Sequence, residues 1–282
     1  MKILLSLMLL LILVSFFATR VKSDDQGQLM TKEEVIDLVS RGYQEEKSVM
    51  HYNQRIKYLI PLKDLVKKPR NNIGRKVSID SLPEDVDLRN FATAIRDQGP
   101  EGTCTAFGLT AAQESSHCAL NGNCGLDLSE RQRWNLYKKY NASAAITSIK
   151  SPIGTEKDCP YSKKECPVKV PKSSIYKITK MVDLTTKAEV LEALARGKQV
   201  YFWSQVPQQM ADCARTITNS KMVDGGHAYL VAGYFSKDDP VLIVKNSWGT
   251  DCGDQGWQYL QFSVFDKEGY WGANSIESSK IN

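Results

Sequence analysis

Two residue types in this chain can carry out nucleophilic chemistry when they are placed together, cysteine and histidine. The sequence has seven Cys and only three His. Cys104 follows the turn-rich run Asp97-Gln-Gly-Pro-Glu-Gly-Thr103, and we expect it in the first turn of a helix. Free backbone N–H groups and the positive end of the helix dipole favour a thiolate there. Cys104 is therefore the candidate nucleophile. The alternative is a buried apolar residue or half of a disulfide.

His227 has the setting of a catalytic base. It lies in Asp224-Gly-Gly-His-Ala-Tyr-Leu-Val-Ala-Gly-Tyr234, where a glycine pair opens a predicted strand and lets another group approach the imidazole. His51 lies in the charged N-terminal segment, and His117 is predicted to be a solvated residue late in a helix. Taken alone, His227 could equally be a satisfied structural histidine.

Two side-chain amides complete the candidate site. Gln98 lies six residues before Cys104 with two glycines between, so the chain can fold back and aim the amide at the space above the sulfur. Asn246 ends the apolar run Val241–Lys245, which predicts a buried strand, and Trp248 follows two residues later.

In this order, the motifs resemble the papain-like cysteine peptidases. The cysteine-to-histidine and cysteine-to-asparagine separations are 123 and 142 positions, against about 130–150 for such enzymes. The similarity covers about residues 82–282. The matching segments are Gln98-Gly99, Gly102-Thr103-Cys104-Thr105-Ala106-Phe107, Gly226-His227-Ala228, Lys245-Asn246-Ser247-Trp248-Gly249, Leu82–Arg89, Glu114, Leu128-Ser129-Glu130, Pro160-Tyr161 and Gly253…Gly256-Trp257.

The resemblance implies an α+β fold of two lobes, a helical N-terminal lobe and an antiparallel, barrel-like C-terminal lobe, with the active-site cleft between them. It also implies a cysteine-type endopeptidase in which Cys104 and His227 form a thiolate–imidazolium pair, lowering the cysteine pKa and raising the histidine pKa. The Gln98 amide and the Cys104 N–H would stabilise the oxyanion, Asn246 would orient the imidazole, and Trp248 would shield it. No metal or cofactor is required.

The sequence departs from the family at several positions. Glu101 and Thr105 stand where the family usually has a Cys and a Trp, and the glycine segment that lines the substrate side has no clear counterpart between Leu128 and Gly154. An inactive papain-fold protein that binds or inhibits peptides therefore remains an alternative. Acyl transfer to an amine is a third possibility.

Three residues are predicted to contact substrate: Glu101, Gly226 and Trp248. Because Glu101 is three residues from the nucleophile, we expect its charge to favour a Lys or Arg before the scissile bond. The alternative is a solvated loop acid.

An odd number of cysteines leaves at least one thiol unpaired within the chain. With Cys104 free, the other six allow 15 pairings. Short loops favour Cys118–Cys124 and Cys159–Cys166, and a Cys213–Cys252 bond would brace the wall that carries His227 and Asn246. The alternative is that some of these thiols are unpaired.

The N-terminus has the pattern of a secretory signal peptide, assigned to residues 1–23. Lys2 precedes an apolar run over 3–18, and a small-residue exit follows. A membrane anchor is the alternative, but spanning takes about 20 apolar residues. We expect no membrane association after signal removal, an extracellular or lysosomal/vacuolar location, and a possible glycan on Asn141.

Residues 24–81 form a charged segment without Cys or Trp, predicted to be a removable pro-segment or a flexible arm, and residues 82–282 form the peptidase domain. Residues 1–81, which include the predicted signal peptide, hold 14 Lys and Arg against 9 Asp and Glu. Residues 82–282 hold 23 basic and 23 acidic residues. A neutral body argues against nucleic-acid binding. We expect a monomer whose partners are peptide or protein substrates.

Overall fold

The computed structural model describes residues 28–42, 59, 77–122, 124–140, 151–166, 175–219, 221–267 and 269–280. The chain divides into two compact units, Met1–Met30 and Thr31–Asn282, and all helices and strands described below belong to the second. The predicted signal peptide and Asn141 lie outside the described residues. Within the described part, no helix is long and apolar enough to cross a membrane.

A short helix, α1 (Lys32–Ser40), forms in the predicted pro-segment and packs on the body of the second unit. Thr31 and Glu34 form the predicted capping box, in which each side chain accepts the other's backbone N–H. Val35 is fully buried, and the Lys32 ammonium lies 2.6 Å from the Asp85 carboxylate. Part of the segment is thus packed against the domain.

The helical half of the domain is built on α2 (Cys104–Asn121), with α3 (Glu130–Tyr140) beside it. The small residues of α2 let it bury most of its length, and Gly122 ends it in the left-handed conformation at φ 68°. The predicted helix is confirmed, and its first residue is Cys104.

The second half forms an eight-stranded sheet, and the predicted α+β class is confirmed. The elements of this half are β1 (Val86–Asp87), β2 (Tyr176–Leu184), α4 (Lys187–Ala195), β3 (Val200–Pro207), α5 (Gln208–Ala211), β4 (Thr216–Ile217), β5 (Met222–Phe235), β6 (Val241–Lys245), β7 (Trp257–Gln261), α6 (Val264–Lys267) and β8 (Trp271–Lys280). The strands lie in the order β2-β8-β3-β5-β6-β7-β4, with β1 also paired to β5. All pairs are antiparallel except β4 with β7.

Strand β5 begins earlier than the sequence predicts. The glycine pair was expected to open the strand, but β5 starts at Met222 and runs through both glycines. Cross-strand pairing explains the difference, because Gly226 pairs with Gln205 and Met222 with Pro207. His227 consequently lies within a paired strand, opposite Ser204 of β3.

The helical and strand halves meet where α2 crosses β5. A Cβ added to Gly108 would lie 2.9 Å from the Tyr229 nitrogen, so a glycine is required for this approach. Cys104, Leu109 and Ala112 of α2 share an apolar cluster with Ala228 and Leu230 of β5. This contact brings the start of the helix to the middle of the strand.

Candidate active site

Cys104 is the first residue of α2 and the free thiol among the described cysteines. Cys104 shares an apolar cluster with Ala228 of β5, and the backbone groups of Ala228, Thr105 and Cys104 itself act to lower its pKa, against the larger effect of burial. Ala228 is the residue after His227. The nucleophile candidate and the base candidate are therefore brought together, although they are 123 positions apart in the sequence.

The His227 imidazole has two different nitrogens. Nε2 lies 2.9 Å from Asn246 Oδ1 and donates to it, because that oxygen also accepts the Ser247 N–H at 2.7 Å. Nδ1 is buried and has no hydrogen-bond partner among the described residues. With the proton fixed on Nε2, Nδ1 carries the lone pair of the neutral ring and can accept a proton.

Trp248 covers the imidazole. Its ring stacks on His227 with the centroids 4.3 Å apart and the planes inclined by 28°. Both residues are almost completely buried. The indole therefore lies against the imidazole, where the sequence predicts that it shields the ring from water.

Two further residues hold Asn246, and the sequence did not single them out. Gln258 on β7 accepts from Asn246 Nδ2 at 2.7 Å and donates to the Ala214 carbonyl at 2.8 Å. Ser247 donates from its backbone to Asn246 and from Oγ to Gln98 Oε1 at 2.7 Å. Ser247 links the imidazole side of the site to the Gln98 side. Its place in the motif between Asn246 and Trp248 was the one available signal.

Gln98 lies at the predicted place beside the start of α2. Its Nε2 donates to the Glu101 carbonyl at 2.8 Å, and its backbone N–H donates to the Ser247 carbonyl at 2.9 Å. The loop over 98–103 therefore connects the Gln98 amide to the start of α2, whose first N–H groups are also donors. Such a pair of donors can stabilise an oxyanion.

Glu101 is paired within the protein. Its carboxylate lies 2.8 Å from Nη1 of Arg131 on α3, whose side chain is only 8% exposed. Because a buried guanidinium already compensates this charge, the predicted preference for a basic substrate residue loses its electrostatic basis. The sequence analysis missed Arg131 because it lies 30 positions away.

Burial determines the protonation of the catalytic pair. It raises the pKa of the Cys104 thiol to about 12 and lowers the pKa of His227 to about 4, although the hydrogen bond to Asn246 opposes the second shift. At neutral pH both groups are uncharged in this closed arrangement. These directions are opposite to those of the ion pair that the family resemblance implies, because the attraction between two ions favours both charged forms whereas burial disfavours them.

A buried charged cluster lies behind the site. Lys245 Nζ donates to Thr93 Oγ1 at 3.1 Å, and that hydroxyl donates to Glu114 Oε2 at 2.6 Å. Burial lowers the pKa of Lys245 to about 8 and raises that of Glu114. Since Lys245 precedes Asn246 and Glu114 lies on α2, the cluster ties the two halves together beneath the catalytic residues.

The other six cysteines form three disulfides, Cys118–Cys124, Cys159–Cys166 and Cys213–Cys252. These are the pairings favoured by the sequence. The third joins the turn before β4 to the turn before β7, the strand that carries Gln258.

Leu59 of the predicted pro-segment lies beside the catalytic strand. Its side chain is so close to Gly225 that a Cβ there would be 2.8 Å from Leu59 Cδ1. Gly225 is two residues from His227, and the predicted substrate-contacting Gly226 lies between them, buried in β5. A residue of the N-terminal segment thus occupies the surface next to the imidazole.

A thiol at a helix N-terminus, next to an imidazole held by an amide, is the arrangement of a cysteine-nucleophile hydrolase. The profile of the family described as "Papain family cysteine protease" matches residues 82–270. This chain belongs to the papain family.

Two plant relatives and one solved structure illustrate the similarity. A low-temperature-induced cysteine proteinase of Solanum lycopersicum is 28% identical over 225 residues, covering 71% of this chain and 62% of that protein. The thiol protease aleurain of Arabidopsis thaliana is 30% identical over 205 residues, covering 65% of this chain and 57% of that protein. The chain thus spans less than two thirds of either relative. Digestive procathepsin L 3 of Tenebrio molitor larval midgut superposes with a TM-score of 0.65 at 17% identity, covering 87% of both chains, which shows the shared fold.

Proposed function

We propose that this chain is a cysteine endopeptidase of the secretory pathway, acting outside the cell or in a lysosome or vacuole. The observation that carries the proposal is the orientation of His227. Its Nε2 is bound to Asn246, its Nδ1 has no hydrogen-bond partner among the described residues, and the next residue, Ala228, shares an apolar cluster with Cys104. The family membership and the names of the plant relatives support the same activity.

The chemical steps follow from these atoms. The Cys104 S–H proton passes to His227 Nδ1 as the sulfur bonds to the peptide carbonyl carbon, and the Gln98 amide and Cys104 N–H bind the oxyanion. The C–N bond then breaks, and the His227 proton leaves with the amine. Water adds to the thioester, gives its proton to His227 and releases the acid, which restores the thiol.

We further propose that residues 24–81 are an inhibitory segment that is removed on activation. Leu59 packed on Gly225, and α1 anchored by Val35 and the Lys32–Asp85 ion pair, support this role. Both catalytic residues are fully buried in the full chain, which fits a site that is closed until the segment leaves.

The test is peptide hydrolysis by the full chain and by residues 82–282, with product masses measured with and without an added amine. We expect internal cleavage by the shorter form, slow cleavage by the full chain, and no cleavage by Cys104→Ser. Folded 82–282 protein that cleaves no peptide or protein substrate would contradict the proposal. Transfer to the amine in place of hydrolysis would instead identify an acyltransferase.

One observation favours a second candidate, a peptide-binding or inhibitory papain-fold protein without turnover. The buried, uncharged Cys104 and His227 could belong to a site that never opens. In that case residues 82–282 would bind peptides, and Cys104→Ser would bind them equally well, without any product.

A further inference from the structure

The loop over 98–103 must hold the Gln98 amide in one orientation if that amide is to bind an oxyanion. The loop contains Gly99, at φ 60°, and Gly102, so its backbone alone is permissive. Gln98 Nε2 carries two hydrogens, and the Glu101 carbonyl takes one of them at 2.8 Å. The Glu101 carbonyl and the Ser247 hydroxyl, which donates to Gln98 Oε1 at 2.7 Å, therefore both act on the orientation of the amide.

Arg131 fixes Glu101. Its Nη1 lies 2.8 Å from the Glu101 carboxylate, so the residue that receives the Gln98 amide is held from α3 by an ion pair. The arginine is 8% exposed and the glutamate 49%. The guanidinium is the fixed partner, and the loop is held to it.

The same guanidinium also fixes Tyr161. Arg131 Nε donates to the Tyr161 carbonyl at 2.9 Å, and its Cζ lies 4.4 Å from the centroid of the Tyr161 ring. Tyr161 Oη in turn donates to the Gln98 carbonyl at 2.6 Å. The phenol proton is used there, so the Thr103 hydroxyl, 2.8 Å away, donates to Tyr161.

Arg131 is thus linked to both ends of Gln98, to the amide nitrogen through Glu101 and to the backbone carbonyl through Tyr161, while Ser247 holds the amide oxygen. We propose that Arg131 is a positioning residue that orients the Gln98 amide for the transition state. The inference rests on the proposed peptidase function and adds a residue to it. Arginine suits the role because its planar fork serves two acceptors at once and stacks on an aromatic ring.

The test is a double-mutant cycle with Arg131→Met, Gln98→Ala and the double variant, each folded as the full chain and then freed of residues 24–81 by limited proteolysis. Loss of a whole oxyanion donor costs about 10²–10³ in kcat, so a misdirected donor in Arg131→Met should lower kcat by about tenfold with KM within about twofold. In the Gln98→Ala background, Arg131→Met should change kcat by less than about twofold. Alkylation of Cys104 by iodoacetamide, which forms no oxyanion, should proceed at the wild-type rate in all three.

A matched control is Arg196→Met, which removes an exposed arginine paired with Glu192 on α4 and should leave kcat unchanged. Glu101→Gln is the second test variant if Arg131→Met does not fold, because Glu101 is half exposed, and the same tenfold loss is expected.

Three results would overturn the inference. They are a tenfold loss of kcat that persists in the Gln98→Ala background, an alkylation rate that falls as much as kcat does, and an unchanged kcat in Arg131→Met. A wild-type domain that cleaves peptides while the variants cleave equally well contradicts the inference alone. A wild-type domain that cleaves nothing contradicts the proposed function, and the inference falls with it.

Discussion

His227 Nε2 donates to Asn246 Oδ1 over 2.9 Å, and this bond leaves Nδ1 as the nitrogen of the imidazole that can accept a proton. Asn246 is itself held by Gln258 and Ser247, so three residues, and not one, fix the orientation of the ring. The imidazole is therefore oriented before substrate arrives.

The first prediction concerns this bond. Asn246→Ala should lower kcat/KM by about ten- to a hundredfold, because loss of a buried hydrogen bond to the ring costs about 1–3 kcal/mol. Steady-state hydrolysis by residues 82–282 measures the effect. Asn246→Gln is the control for side-chain chemistry, and a kcat/KM within twofold of wild type in Asn246→Ala would contradict the assignment.

The second prediction concerns acid dependence. Because burial lowers the pKa of His227 from 6.5 to about 4, the ring stays neutral, and able to accept the thiol proton, until the pH falls to about 4. In the full chain, Trp248→Ala admits water and should raise that pKa towards 6.5, so the imidazole should become charged at a higher pH. Imidazole titration by NMR measures both values. An unchanged pKa in Trp248→Ala would show that the indole does not exclude water.

The third prediction concerns the close contact of α2 with β5. Gly108→Ala places a methyl group 2.9 Å from the Tyr229 nitrogen, which must push the helix and the strand apart. We expect a loss of about 1–3 kcal/mol in the free energy of unfolding, together with reduced kcat as Cys104 moves away from His227. Urea denaturation and hydrolysis measure the two effects. Ser116→Ala on the same helix is the control, and wild-type stability in Gly108→Ala would contradict the packing argument.

The fourth prediction concerns the Cys213–Cys252 disulfide. Replacing both cysteines by serine should cost about 2–4 kcal/mol in unfolding free energy. It should also lower kcat, because the adjacent Ala214 carbonyl holds Gln258 and, through it, Asn246. The matched control replaces Cys118 and Cys124, whose bond lies at the far end of α2 and closes a shorter loop. Equal kcat losses in the two double variants would contradict this chain of contacts.

The sequence predicts the catalytic residues better than it predicts their surroundings. Cys104, His227 and Asn246 are recognisable because each sits in a local motif whose residue types have few other uses. Gln258 and Arg131 are not, because their roles arise from strand pairing and from a side chain that reaches across from another helix. Local patterns carry no record of such contacts.

Several sequence-based expectations differ from the structure for physical reasons. The strand of His227 begins at Met222, because pairing with β3 extends it through glycines that would end an isolated strand. His117, expected to be solvated, is buried late in α2, where its ring packs edge-on against Tyr176. In the closed full chain, burial shifts the pKa values of Cys104 and His227 in the directions opposite to those expected of an ion pair, because the degree of burial cannot be read from the residue types around them.

The most direct test of the account is covalent labelling of Cys104 by a peptidyl epoxide that alkylates papain-type thiols, read by peptide mass spectrometry on residues 82–282. We predict one adduct per chain, on Cys104, with labelling abolished in His227→Ala and strongly slowed in the full chain. Folded wild-type domain that takes no label, or labelling that is unaffected by His227→Ala, would contradict the claim that these two side chains act as one catalytic pair.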